Sequence, residues 1–265
     1  MIREANGVQP IPGDIILSVV MPAYNEEANI ERVVRSHFAV AKDFPPQVTD
    51  WEVVVLDDGS SDRTVELLEA LARDEKRLRV VKHLRNEGLF RSFDDVQHEA
   101  RGTHVYSTGS DGQWPAANLA KMLRTLVECK ADLVVGVRPN RHEVYTRWRR
   151  IISGGFRFLP RLLFGVDIYD PGSVKLGRRE LFRCPLISRS PFVEAERIIG
   201  AIRGGYRVEF VPIEFLSRTG GIARGAKWSY ILGSLRDCCR CFRRYRLCSK
   251  PLLLKGNNDD QSSVS

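Results

Sequence analysis

Short apolar runs of strand length alternate with stretches whose apolar residues recur at helical spacing, and this alternation dictates most of what the chain can become. Ile15 to Met21 is the first run, after which Ile30, Val33, Val34 and Phe38 fall on one helical face. Trp51 to Leu56 is a second β-rich run, closed by Asp57-Asp58-Gly59-Ser60-Ser61-Asp62 and followed by a helix marked by Val65, Leu67, Leu68 and Leu71. Leu78 to His83, His104 to Ser107 and Leu133 to Val137 read as further strands, with helices near Ser92 to Ala100 and Ala116 to Cys129. Such alternation gives an α/β fold whose mostly parallel sheet is covered by helices on both faces. With 265 residues and 43% hydrophobic content the chain can bury one such core, and a second independent domain would be cramped.

In open sheets of this type ligands bind beyond the carboxyl ends of the strands, so the loops there are where chemistry is expected. Pro22-Ala23-Tyr24-Asn25-Glu26 follows the first strand, Asp57-Asp58-Gly59-Ser60 the second, and Gly109-Ser110-Asp111-Gly112-Gln113 the fourth. Taken alone, Asp57 to Asp62 reads as a helix-capping turn, because Ser and Asp satisfy the free N–H groups of a helix start. Three acidic or amide-bearing loops at one sheet edge read as a site.

Val19-Val20-Met21-Pro22-Ala23-Tyr24-Asn25-Glu26 and Val54-Val55-Leu56-Asp57-Asp58-Gly59-Ser60-Ser61-Asp62 together resemble the opening of a family 2 glycosyltransferase. The resemblance continues through Arg85-Asn86-Glu87-Gly88, Ser110-Asp111-Gly112-Gln113, Asp170-Pro171-Gly172-Ser173-Val174-Lys175, Phe192-Val193-Glu194-Ala195-Glu196, Val211-Pro212-Ile213 and Arg218-Thr219-Gly220-Gly221. It covers residues 15–235, and its latter half is similar to the polyprenyl-phosphate (dolichyl-phosphate) sugar transferases. The resemblance implies a GT-A type fold, with a Rossmann-like nucleotide-binding half and an acceptor-side half. It also implies inverting transfer of a sugar from a nucleoside-diphosphate sugar to a polyprenyl phosphate. Pro22, Tyr24, Glu26, Asp57, Asp58, Asp111 and Gln113 would then bind the nucleotide sugar. Carboxylate acceptors suit the donor edge of a base and the hydroxyls of a ribose.

Departure of a nucleoside diphosphate calls for a hard divalent cation with oxygen ligands. In the resembled family an Asp-X-Asp motif followed by Gln supplies them, whereas Gly109 stands here in place of the first aspartate. Asp111 and Gln113 remain as the implied ligands of Mg²⁺ or Mn²⁺, with phosphate oxygens and water completing the shell. Lys175, Arg218 and Arg224 match or neighbour basic positions near the donor and acceptor phosphates, so together with Asp111 they form the implied catalytic set. A lipid phosphate is already anionic and needs no general base. A hydroxyl acceptor would need one, for which Asp170, Glu194 and Glu196 are the candidates, although Glu194 and Glu196 also suit a helix start on dipole grounds.

The formal net charge of +8 is concentrated: Arg218 to Lys255 holds ten basic residues and one acidic residue, which leaves the remainder at −1. That distribution fits a membrane surface or bound anions, and with few aromatics among the arginines it argues against nucleic acid. Trp228, Ile231, Leu232, Leu235, Cys239 and Phe242 recur at helical spacing beside Arg236, Arg240, Arg243 and Arg244, and a second basic amphipathic stretch runs from Trp148 to Phe164. Both read as interfacial helices that dock the protein on a membrane directly or through a membrane partner protein. No run reaches the roughly 20 apolar residues of a membrane span, and no signal-peptide pattern precedes Ile15. The expectation is a cytoplasmic protein, peripheral at the membrane, laid out as an extension over 1–14, a GT-A domain over 15–226, a basic helix over 227–250 and a polar disordered tail over 251–265. Four of the six cysteines crowd into the basic segment without paired Cys-X-X-Cys spacing, so a zinc site is not expected, and Cys129 and Cys184 read as buried thiols. Two other functions fit the same residues: transfer to a saccharide or small-molecule hydroxyl, and non-catalytic binding of a sugar nucleotide, the latter motivated by Gly109.

Overall fold

The computed structural model describes residues 14–139, 159–216 and 228–247. Its strands are β1 (Ile15–Ala23), β2 (Val48–Asp57), β3 (Leu78–Lys82), β4 (His104–Ser107), β5 (Leu133–Val137), β6 (Lys175–Arg178) and β7 (Val208–Pro212). The helices are α1 (Ile30–Ala39), α2 (Thr64–Asp74), α3 (Leu89–His98), α4 (Ala117–Glu128), α5 (Arg179–Arg183), α6 (Val193–Arg203) and α7 (Trp228–Leu247). The described strands make one sheet in the order β3-β2-β1-β4-β6-β5-β7. Neighbours run parallel except around β6, which is antiparallel to both β4 and β5.

Burial explains the apolar runs. β1 lies between β2 and β4, and all but one of its residues are buried, because helices cover both faces of the sheet. Alternate residues serve opposite faces: Val19, Met21, Val53 and Val55 pack with α1, α2 and α4, whereas Val20, Val54 and Leu56 pack with α3, α5, α6 and α7. Each fully buried side chain of this size stabilises the fold by about 1.5–3 kcal/mol.

The register places the carboxyl ends of the parallel strands at one rim. Ala23 pairs with Asp57, Val20 with Ser107, and Val137 with Pro212. Because β6 runs the other way, its first residue, Lys175, comes to that rim opposite Ser107 and Val135.

α7 departs from the expected pattern. Its buried face is Ser234, Asp237, Cys238, Cys241 and Tyr245, whereas Leu232, Leu235 and Cys239 are exposed alongside Arg236, Arg240, Arg243 and Arg244. The physical reason is a polar anchor: Asp237 Oδ2 accepts the N–H groups of Arg189 at 2.9 Å and Ser190 at 3.0 Å, just ahead of α6, and draws that face inward. Phe242 and Tyr245 stack edge-on against Phe164. Arg218, Arg224, most of the stretch from Trp148 to Phe164, the N-terminal extension up to residue 13 and the tail from Cys248 onward lie outside the described residues. Cys129 and Cys184 are unpaired and half-buried, and no described helix is long and apolar enough to cross a membrane.

Candidate active site at the sheet rim

The first two loops are stitched together by their own polar groups. Asn25 takes a left-handed backbone conformation, φ +54°, which asparagine tolerates better than most residues. From there its N–H donates to Ser60 Oγ at 2.9 Å, and its Oδ1 accepts the Ser61 N–H at 2.8 Å. The Glu26 N–H donates to Thr64 Oγ1 at 2.9 Å, and Glu27 exchanges hydrogen bonds with Asp62 and the Arg63 N–H. Capping chemistry is thus present, as the sequence suggested, but it serves to fix one loop against the other. Pro22 is buried, Tyr24 is half-buried, and the Pro22 carbonyl accepts Ser110 Oγ at 2.8 Å, which ties in the Asp111 loop.

The adjacent aspartates have different fates. Both are buried. Asp58 accepts His83 Nδ1 and the Glu87 N–H on Oδ1, each at 2.8 Å, and the Gly88 N–H on Oδ2 at 3.0 Å. Burial pushes its pKa up, but these bonds and one from Ser92 pull harder, and the net shift is downward. Asp58 therefore pins the 83–88 loop. Gly59, φ +70°, allows that loop close: a β-carbon there would stand 2.6 Å from the Arg85 carbonyl carbon. Asp57 accepts the Ser60 N–H on Oδ2 at 3.0 Å, and its Oδ1 is buried with no hydrogen-bond partner. A buried carboxylate oxygen left unmatched costs stability and retains the capacity to accept a hydrogen bond.

In the third loop Asp111 Oδ1 accepts the Gln113 N–H at 3.1 Å, and Gln113 makes a two-way bridge to Leu216: Nε2 to the Leu216 carbonyl at 3.2 Å, and the Leu216 N–H to the Gln113 carbonyl at 2.9 Å. Among the described residues no group of three or more His, Cys, Asp or Glu side chains is arranged to hold a metal. One carboxylate and one amide oxygen suit a cation that shares its shell with a diphosphate and water, and they do not make a closed protein cage. Gly109 leaves room: a β-carbon there would meet only ordinary contacts, 3.5 Å to Trp114 and 3.6 Å to Asp111 Oδ1.

Across the rim, charges are matched internally. Lys175, expected to meet phosphate, is 2% exposed, and its Nζ donates to the carbonyls of Pro171 at 2.6 Å and Ser173 at 3.0 Å while pairing with Glu194 at 2.5 Å. Burial lowers the Lys175 pKa, and for Glu194 the attraction of Lys175 and Arg197 outweighs burial and keeps the carboxylate charged. Glu196 is fully buried and accepts the N–H groups of Ile187 and Ser188. Asp170, itself at φ +48°, holds the Arg138 guanidinium through Nε and Nη2 and accepts its backbone N–H as well. The Arg138 guanidinium also lies 5.3 Å from the ring centre of Trp114 and 4.9 Å from that of Phe215.

Of the residues singled out from the sequence, Pro22, Tyr24, Glu26, Asp57, Asp58, Asp111, Gln113 and Lys175 thus belong to one rim. Sequence reasoning missed Arg138 and Trp114. The signal available was position: Arg138 directly follows β5, and Trp114 directly follows Gln113.

A parallel α/β sheet with one reversed strand and three polar loops on its carboxyl rim defines the GT-A class of fold. The family model for glycosyl transferase family 2 matches residues 18–185, and the chain belongs to that family. It is 30% identical over 184 residues to the dodecaprenyl-phosphate galacturonate synthase of Rhizobium johnstonii, across 66% of this chain and 53% of that protein. It is also 30% identical over 184 residues to the undecaprenyl-phosphate 4-deoxy-4-formamido-L-arabinose transferase of Pseudomonas paraeruginosa, across 69% and 52%. The chain spans about half the length of these curated relatives. Among solved structures, glucosyl-3-phosphoglycerate synthase from Mycobacterium tuberculosis superposes with a TM-score of 0.65 at 19% identity, covering 86% of this chain and 80% of that one. A complex of that synthase with Mn²⁺, UDP and glucosyl-3-phosphoglycerate gives 0.63 at 21%, covering 86% and 79%. At such identity the likeness concerns the fold alone.

Proposed function

We propose that the chain is an inverting glycosyltransferase that moves a sugar from a nucleoside-diphosphate sugar to a polyprenyl phosphate. The observation that carries the donor half is the unmatched, buried Oδ1 of Asp57 at the rim, ready to accept from a base or ribose. Tyr24, Glu26 and the Asp58-pinned loop flank it. Asp111 and Gln113 would hold Mg²⁺ or Mn²⁺ against the diphosphate, where the cation neutralises charge on the leaving group. A metal of this kind accompanies UDP in the M. tuberculosis synthase.

Two considerations support the acceptor. The relatives from Rhizobium johnstonii and Pseudomonas paraeruginosa, which match 66% and 69% of the chain, are named for polyprenyl-phosphate substrates. In addition, Asp170, Glu194 and Glu196 are each committed to cations or backbone N–H groups, so none stands ready as the base a hydroxyl would require. Arg218 and Arg224 remain the proposed phosphate ligands. The exposed Leu232 and Leu235 among Arg236, Arg240 and Arg243 suit peripheral attachment at the cytoplasmic face of a membrane, directly or through a partner protein. Transfer to a saccharide hydroxyl is the second reading, and a sugar-nucleotide binder without turnover the third.

The deciding assay incubates the purified chain with a panel of labelled nucleotide sugars, Mg²⁺ and undecaprenyl phosphate in detergent. Labelled lipid is expected, with at least about a hundredfold loss of rate on Asp111→Ala. Transfer only to water-soluble acceptors, or nucleotide binding without any turnover, would turn the assignment to the second or third reading.

A further inference from the structure

Arg32 lies in the first turn of α1 and is exposed, yet its guanidinium is aimed. Nη2 donates to Asn29 Oδ1 at 3.1 Å, and Asn29 Nδ2 donates to Glu26 Oε2 at 3.0 Å, so a relay runs from the first loop to the guanidinium. At its far end sits the Asp111 turn. A β-carbon on Gly112 would collide with Arg32 Nη2 and stand 3.2 Å from Cζ and 3.4 Å from Nη1. Gly112 has φ +73°, so a glycine both makes the turn and admits the guanidinium.

Arg35, one turn along, pairs with Glu31 at 2.9 Å, whereas Arg32 has no ion pair among the described residues. A guanidinium carries five N–H donors in a planar fork, and Asn29 takes one of them. It lies against Gly112, next in sequence to Asp111, in a loop whose carboxylate is Asp111 alone. Fewer carboxylates bind a divalent cation less firmly, and a fixed guanidinium at the same turn supplies positive charge in the geometry phosphate oxygens prefer.

We propose that Arg32 is a ligand of the donor's diphosphate and carries part of the charge neutralisation that a more tightly held metal cation would otherwise provide. This rests on the nucleotide-sugar reading above and adds a residue and a charge source to it. The positive end of the α1 dipole acts in the same direction.

Titration calorimetry with UDP, GDP, CDP, ADP and dTDP, and with the matching nucleosides, each in EDTA and in Mg²⁺, tests the idea. The unsubstituted chain is expected to keep its preferred diphosphate in EDTA within about tenfold of its affinity in Mg²⁺. Arg32→Ala should weaken that binding in EDTA by about tenfold to a hundredfold, should lose less in Mg²⁺, and should leave the nucleoside unaffected. Arg32→Lys should fall between, since a point charge replaces a fork. Unchanged diphosphate affinity in Arg32→Ala, equal loss of the nucleoside, or abolition of wild-type binding by EDTA would each overturn the assignment of Arg32 while leaving the donor reading intact. Failure of the wild type to bind any diphosphate under either condition would remove the donor reading itself and this inference with it.

Discussion

On the β1–β3 side of the sheet Asp57 keeps one carboxylate oxygen unmatched at the rim, whereas on the β4–β7 side Lys175 is locked to Glu194 and Arg138 to Asp170. The first side stitches loops 22–27, 57–64 and 83–88 into a platform with backbone N–H groups, hydroxyls and the carboxylates of Glu27, Asp58 and Asp62, and leaves Asp57 Oδ1 unmatched. The second side uses pairs of opposite charge as the stitching. Lys175 closes the 170–175 loop, and Arg138 joins that loop to Trp114 and Phe215. Two buried ionisable residues at one rim therefore differ: Asp57 keeps an oxygen unmatched, and Lys175 is fully paired.

The largest test of this contrast is stability on the second side. Glu194→Ala leaves a buried ammonium without its carboxylate and is expected to cost about 3–5 kcal/mol in urea unfolding, most of it recovered in the double variant Lys175→Met, Glu194→Leu. A cost below about 1 kcal/mol would mean that Lys175 is free to serve phosphate after all. Next comes the neighbouring pair on the first side. Asp57→Ala should weaken nucleoside diphosphate binding by about a hundredfold with under about 1 kcal/mol lost in stability, whereas Asp58→Ala should cost about 2 kcal/mol of stability through its orphaned donors. Equal effects of the two substitutions in both assays would erase the distinction drawn between them.

The smallest effect is in pH. The folded-state pKa of Asp58 is depressed, so its contribution is fully present above the ordinary aspartate value of about 4 and is lost as pH falls through the folded value. Between about pH 5 and pH 3 the melting temperature of the wild type should fall more steeply than that of Asp58→Asn. Parallel curves would assign no such role to Asp58.

Strands such as β1 and β2 were legible because burial on both faces demands unbroken apolar runs, and the polar loops after them were legible because few residue types fit tight turns at a sheet rim. β6 was not: Lys175-Leu176-Gly177-Arg178 has no apolar run, and its place is set by pairing with β4 and β5. Asp57 and Asp58 look alike in a string of letters, and only the approach of the 83–88 backbone separates them. Lys175 resembled a phosphate ligand because Glu194, its partner, reaches it only through the packing of α6. The orientation of α7 escaped periodicity for a similar reason, since Asp237 faces inward to meet backbone donors from a distant segment.

The reversal of β6 ties the segment before it to two places at once. β5 ends and β6 begins at the same rim, so the connection between them starts and finishes at one edge of the sheet. Its described part is anchored as well: Phe164, Val166 and Ile168 are buried in one cluster with Val20, Val54 and Leu56, so a change of sequence there is felt by the central strands and at the rim together.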